Sequence, residues 1–245
     1  MKTTFIKAVV ASAMLILVPA VGMAGGGGNV HLDSVDIDMA DQASLQRGFK
    51  LFANYCLSCH AASYARYNRT ANDLGISEVL LKENLIFTGA KVHSPMHVAM
   101  PADGAKDWFG KTPPDLSVIA RSRGPKWLYT YLRGFYLDPS KPTGTNNTVF
   151  KDVGMPHVLW ELQGWQEAAE FDAEGNVSAL KLVEPGSMQA AEYDAAVRDL
   201  VNFLAYLGEP AQLDRARLGP WVLMFLLLFS FLAYLLKKEY WKDIH

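Results

Sequence analysis

Cysteine is nearly absent: Cys56 and Cys59 are the only two among 245 residues. No third thiol exists to build a disulfide framework, and Cys56, Cys59 and His60 together offer at most three of the four ligands of a structural zinc ion. A surplus of positive charge is lacking too. With 23 Lys and Arg against 25 Asp and Glu, the formal net charge is -2, and no basic stripe could neutralise a phosphate backbone, so nucleic-acid binding has no electrostatic support. Internal repeats are missing, and strand signal is sparse. What remains is a mainly helical chain with long loops, whose length and 50% hydrophobic residues suit one globular domain plus membrane-associated segments.

Two apolar segments carry different meanings. Lys2 and Lys7 open the chain, Ala8 to Ala20 is almost wholly apolar, and Gly22-Met23-Ala24 supplies small residues, the layout of a secretory signal cleaved after Ala24. That core is short for a bilayer and runs straight into Gly25 to Gly28, so an N-terminal anchor is the weaker reading. Residues 218–236 (LGPWVLMFLLLFSFLAYLL) contain no charge and would extend roughly 28 Å as a helix, enough to span a hydrocarbon core. Pro220 is expected in the first helical turn, and Trp221, Tyr234, Tyr240 and Trp241 stand where interfacial aromatics belong. Arg215 and Arg217 before the span nearly balance Lys237, Lys238 and Lys242 after it, so the export signal decides orientation. The expected layout is a signal at 1–24, an exported domain at 25–217, a transmembrane helix at 218–236 and a cytoplasmic tail at 237–245.

Within the exported part, Asp41 can cap a helix on which Leu45, Phe49 and Phe52 recur at helical spacing before Tyr55 leads into the cysteines. Shorter helices are expected at 78–86 and at 125–136, the second opened by Pro125 and apolar along Trp127, Leu128, Tyr131, Leu132 and Phe135. The stretch 137–150 (LDPSKPTGTNNTVF) reads as a surface loop. A small hairpin is expected at 171–183 around Glu174-Gly175-Asn176, and a final helix at 193–207 with Tyr193, Val197, Leu200, Leu204 and Leu207 on one face. Such long loops suit a compact domain only if something other than chain packs them, and a large flat cofactor would serve.

Cys56-Leu57-Ser58-Cys59-His60 has the spacing of a c-type haem attachment site. On a helical turn, positions i, i+3 and i+4 share a face, so two sulfurs can reach the haem vinyl groups while His60 addresses the iron. A redox-active dithiol and a partial zinc site are the competing readings, and the adjoining histidine and export signal favour haem. The sixth iron position separates electron transfer from ligand chemistry, since an occupied site blocks small ligands and a thioether raises the reduction potential. Met96, Met100, Met155 and Met188 are available, and Met100-Pro101 and Met155-Pro156 are equally suited by local context. His93, His97 and His157 read as surface or hydrogen-bonding residues.

Four segments, RGFKLFANYCLSCH (47–60), TPPDLSVIARSR (112–123), VGMPHVLWELQG (153–164) and the C-terminal anchor, resemble in order the cytochrome c1 family, the haem-bearing subunits of ubiquinol–cytochrome c oxidoreductase, in its compact bacterial form. The resemblance covers almost the whole chain. It implies a mainly α, cytochrome c-like haem domain with one C-terminal transmembrane helix and one covalent haem c on Cys56 and Cys59. His60 and Met155 become the iron ligands, Pro113 and Pro114 line the pocket, and an arginine pairs with a haem propionate, Arg123 first and Arg121 second.

The implied activity is one-electron transfer from a Rieske iron–sulfur protein to a cytochrome c, beside a cytochrome b subunit within a dimeric multi-subunit complex. The chain would have no complete active site of its own. It would cross the bacterial inner membrane once, in contact with lipid, with its haem domain in the periplasm. Another anchored monohaem cytochrome and a haem-based sensor are the alternative classes. Between Glu161 and Asp194 eight acidic residues face a single Lys181, either a docking face for a basic acceptor or a solvated hairpin and helix start.

Overall fold

The computed structural model describes residues 31–98 and 100–242. The expected signal peptide and the last three residues of the tail lie outside the described residues. The elements, in chain order, are α1 (Gln42–Leu51), a π-helical turn (Phe52–Cys56), β1 (Ala62–Arg66), α2 (Tyr67–Asp73), α3 (Glu78–Asn84), β2 (Pro95–Met96), α4 (Ala102–Phe109), α5 (Ile119–Arg123), α6 (Pro125–Arg133), β3 (Phe135–Leu137), β4 (Thr145–Asn147), α7 (Trp160–Gln163), β5 (Gly164–Phe171), β6 (Val177–Pro185), α8 (Ala190–Gly208) and α9 (Gln212–Tyr240). Each sheet is a two-stranded antiparallel pair: β1 with β2, β3 with β4, and β5 with β6.

The core is organised on the crossing of α1 and α8. Asp41 caps α1 by accepting the Ser44 N–H at 3.0 Å, which satisfies one of the orphan donors of the first turn. The helix then turns Leu45, Gly48 and Phe49 inward. Phe203 of α8 stacks on Phe49 with centroids 4.9 Å apart and leans on Phe52 at 5.5 Å. Gly48 lets the two backbones meet, because a Cβ there would stand 2.1 Å from the Asp199 carbonyl oxygen.

A polar clasp sits beside this contact. Buried Asp199 accepts from Ser44 Oγ at 2.7 Å and from Arg47 Nε at 2.5 Å, while Asn202 Nδ2 donates to Ser44 Oγ at 3.0 Å and to the Asp38 carbonyl at 2.7 Å. A buried carboxylate is tolerable only when it is paired and hydrogen-bonded in this way. On the other side α6 packs against α8, where Tyr193 donates to the Leu132 carbonyl at 2.8 Å and Arg133 binds Asp194 and Asp33 at 2.6 Å each.

Beyond short helices at Tyr67–Asp73, Ala102–Phe109 and Ile119–Arg123 that the sequence did not announce, and shifts of one to three residues at the ends of others, the observed elements depart from expectation at four places. The helix opened by Pro125 ends at Arg133 rather than 136, and Phe135 enters β3 instead. The stretch read as a surface loop contains β4, whose Thr145, Asn146 and Asn147 are 2% exposed. The hairpin is longer than expected, with strands at Gly164–Phe171 and Val177–Pro185. Finally, α9 runs unbroken from Gln212, so Pro220 lies inside the helix, where it removes one bond to the carbonyl four residues back. That helix exposes Trp221 to Leu236 all round, with none of its residues buried, and is long and apolar enough to cross a membrane.

Candidate cofactor site

The cysteine motif leaves α1 through the π-helical turn, in which the Leu57 N–H bonds the Phe52 carbonyl at 3.0 Å, a distortion frequent at functional sites. One further turn follows. The Cys59 and His60 N–H groups bond the Cys56 carbonyl at 3.1 and 2.8 Å, so the chain stays helical up to His60. Cys56, Cys59 and His60 therefore sit together on the wall of one cavity of about 410 Å³, within the range of a cofactor pocket.

His60 is held from behind. Its Nδ1 lies 2.7 Å from the Pro114 carbonyl, which can only accept, so Nδ1 carries the proton and Nε2 keeps a free lone pair. Burial lowers the imidazole's affinity for protons, partly offset by the Pro114 carbonyl and by Asp115, which favours the neutral ligand form. Asp115 fixes that carbonyl in turn: it accepts from the Ser117 N–H at 2.7 Å and the Ser63 N–H at 3.0 Å, and Leu116 N–H bonds the Ala61 carbonyl at 2.8 Å. Burial raises the Asp115 pKa, but these bonds outweigh it and hold the carboxyl below its usual range.

The rest of the wall comes from loops and from the inner faces of α5, α6 and α8. Pro113, Pro114, Ile119, Leu128, Leu132, Leu200 and Leu204 make most of it apolar. Met155 lines the cavity and Tyr131 donates its hydroxyl to the Met155 sulfur at 3.3 Å. Met100 is not in the lining. Burial holds the Tyr131 hydroxyl well above the ordinary tyrosine pKa, so it remains a donor.

The segment that presents Met155 is fastened by two buried asparagines. Asn147 Oδ1 accepts from the N–H groups of Val149 and Phe150 at 2.9 and 3.2 Å, while its Nδ2 donates to the Tyr131 carbonyl at 2.8 Å. Asn146 Oδ1 accepts from the Asp152 N–H at 2.8 Å, at a residue with φ of 60°, and Lys141 binds the Asp152 carboxylate at 2.5 Å. Beyond Met155, His157 is buried between Phe135, stacked at 5.1 Å, and the edge of Trp165 at 5.7 Å; burial drops its pKa to about 4 against the opposing backbone of Gly164.

Two cations face the cavity. Arg123 lies over the rings of Trp127 at 5.0 Å and Phe150 at 5.9 Å, and Lys111 over Phe150 at 5.8 Å; both line the hollow. Arg121 does not. Its side chain lies beside Gly208, 3.2 Å from where a Cβ would stand. Sequence reasoning passed over Lys111, Asp115, Tyr131 and Asn147, and only the second has a local signal, in its place directly after Pro113-Pro114.

The donor set fits a covalent haem better than a reactive dithiol. Burial, with Cys59 adding to it, pushes the Cys56 thiol up to about 12, the reverse of an activated thiolate. Among the described residues no three His, Cys, Asp or Glu side chains gather as a metal cluster. Of the eight acidic side chains between Glu161 and Asp194, three are engaged within the domain: Asp194 by Arg133, Glu192 by the N–H of Gln189 at the N-cap of α8, and Asp172 by the hairpin turn; Glu167 stands opposite Lys181 in the strand register.

A model described as the cytochrome C1 family matches residues 35–244. The chain is 52% identical over 244 residues to "Cytochrome c1" of Allochromatium vinosum, across 98% of this chain and 100% of that one. It is 51% identical over 231 residues to "Ammonia monooxygenase gamma subunit" of Nitrosomonas europaea, across 94% and 96%, and 29% identical over 271 residues to "Cytochrome c1" of Rhodospirillum rubrum, across 99% of each. A solved structure titled "Hyperthermophilic respiratory Complex III" aligns over 100% of both chains at 16% identity with a TM-score of 0.42.

Proposed function

The chain belongs to the cytochrome c1 family, whose members carry one covalently bound haem c, and on that premise we propose that it relays single electrons from a Rieske iron–sulfur protein to a cytochrome c within a quinol–cytochrome c oxidoreductase. The observation that carries this is the convergence of Cys56, Cys59, His60 and Met155 on one apolar cavity. When bound, the haem supplies a one-electron iron couple. Cys56 and Cys59 would attach it, and the Pro114 carbonyl, by holding the proton on His60 Nδ1, would leave Nε2 free to ligate the iron.

Met155 would offer its sulfur as the sixth ligand, which would keep small ligands out and favour the reduced state. Arg123 and Lys111 stand where anionic propionates would be neutralised, Arg123 by a bidentate guanidinium. With haem seated, the Leu, Ile, Pro and aromatic lining would leave little room for water beside it, so little solvent would need to reorganise when the charge on iron changes. The protein is membrane-anchored through α9. We place its haem domain in the periplasm of a bacterial inner membrane, beside a cytochrome b subunit in a dimeric complex, because the exported layout and the anchor support that side.

The test is a reduced-minus-oxidised spectrum and redox titration of Met155→Leu beside the unmodified protein. Loss of the near-infrared thioether–iron band and a lowered potential are expected; an unchanged low-spin spectrum and potential would remove Met155 from its role. The 51% identity to a protein named for a monooxygenase assembly favours one second reading, the same electron relay in a different complex. Purification from membranes separates the two by whether cytochrome b accompanies the chain.

A further inference from the structure

We propose that Tyr131 is a positioning residue for the haem iron: its hydroxyl holds the Met155 sulfur and, by drawing electron density from it, raises the reduction potential. This rests on the reading of Met155 as the sixth ligand. A thioether sulfur has two lone pairs and is a weak acceptor. One pair given to iron leaves the other for a donor, and Tyr131 already stands 3.3 Å away with its hydroxyl directed at the sulfur.

Tyr131 is well fixed for this task. It is 9% exposed, stacked on Trp127 at 4.8 Å with the planes 12° apart, and set edge-on to Phe135 at 5.2 Å. Its own carbonyl receives the Asn147 amide that also organises the backbone leading to Met155. The side chain and main chain of one residue thus tie the sixth-ligand segment to the rigid face of α6. Trp127 in turn carries the Arg123 guanidinium on its ring, so the stack extends from the cavity's cation to its sulfur.

A hydrogen bond to a metal's ligand changes the donor strength of that ligand, and a weaker thioether donor stabilises the oxidised iron less than the reduced. Removing the hydroxyl should therefore lower the potential. The experiment is Tyr131→Phe in the haem-loaded, full-length protein, with Met155→Leu run in parallel. Phenylalanine keeps the ring and hence the contacts with Trp127 and Phe135.

The expected result is a severalfold fall, up to about tenfold, in the ratio of reduced to oxidised haem at a fixed ambient potential, tenfold being about 59 mV for a one-electron couple. The thioether–iron band should persist in this variant with a shifted position. If Tyr131→Phe leaves potential and band unmoved while Met155→Leu abolishes the band, the role assigned to Tyr131 is wrong and the ligand assignment stands. A fall in denaturation midpoint without any change of potential overturns it equally, as a purely structural hydroxyl. If Met155→Leu keeps the band, the ligand assignment itself is wrong and the inference goes with it.

Discussion

Replacing Gly48 by alanine sets two effects of opposite sign against each other. Gly48 lies in the interior of α1 with helical geometry, where alanine is favoured over glycine by about 0.5–1 kcal/mol. Against this, the new methyl would sit 2.1 Å from the Asp199 carbonyl oxygen and 2.6 Å from Phe203 Cβ. Restoring contact distance requires the helices to part by roughly an ångström or more. The neighbouring group is helix backbone and cannot swing aside.

Parting them loosens the Phe49–Phe203 stack and stretches the bonds that Asp199 makes to Ser44 and Arg47. Overpacking of a core costs about 1–3 kcal/mol before such losses, so packing outweighs propensity. Net destabilisation should be about 2 kcal/mol, or about 1 M in the urea midpoint at a slope near 2 kcal/mol/M. Urea titration of the haem-loaded protein in detergent, followed by circular dichroism, measures it. A midpoint unchanged or raised at equal slope would refute the close-approach reasoning.

Arg123→Gln should lower the haem potential in a redox titration, because it removes a cation that favours electron addition, whereas Arg121→Gln, whose side chain lies at Gly208, should leave it alone. Asn147→Ala strands the Val149 and Phe150 N–H groups and leaves the Tyr131 carbonyl with only the Gly134 N–H, which should cost about 2–4 kcal/mol; it should also let carbon monoxide bind the reduced protein, read spectrally, as the Met155 segment loosens. Burial raises the hydroxyl pKa values of Tyr193 and Tyr206, so above the ordinary value near 10 the unfolded chain loses protons that the folded one keeps. Stability should therefore fall as pH rises past about 10, by up to about 1.4 kcal/mol per unit for each tyrosine, and Tyr193→Phe should flatten the slope in alkaline denaturation.

Features written in local chemistry were legible beforehand. The cap at Asp41, the apolar face of α8, the uncharged run inside α9 and the spacing from Cys56 to His60 each depend on residues close in sequence, and the structure has an element at each. Residues 137–150 misled because Pro, Gly, Thr and Asn are turn formers in the average case. Here Asn146 and Asn147 are buried and spend their amides on backbone groups, one of them 16 residues away on Tyr131. Composition cannot distinguish an asparagine facing water from one replacing water. The choice between Arg121 and Arg123 was likewise beyond local reading, since both lie in α5 and only the packing of that helix decides which reaches the cavity.

The wall that presents His60 and the wall that presents Met155 are built differently, and on the proposed ligation this bears on where the chain would tune its iron. His60 follows directly from a helix and leans on a carbonyl clamped by Asp115, so its position is over-determined by backbone bonds on both sides. Met155 comes from irregular chain whose order depends on side chains: two buried asparagines, the Lys141–Asp152 pair and the Tyr131 hydroxyl. Substitutions near His60 should therefore disturb haem attachment and folding together, because nothing there can yield alone. Those around Met155 can move its sulfur by small amounts while the α1–α8 crossing stays intact, since that crossing uses other residues. On that ligation the potential should be adjustable on the methionine side, and the same dependence on side chains should make this side the first to open.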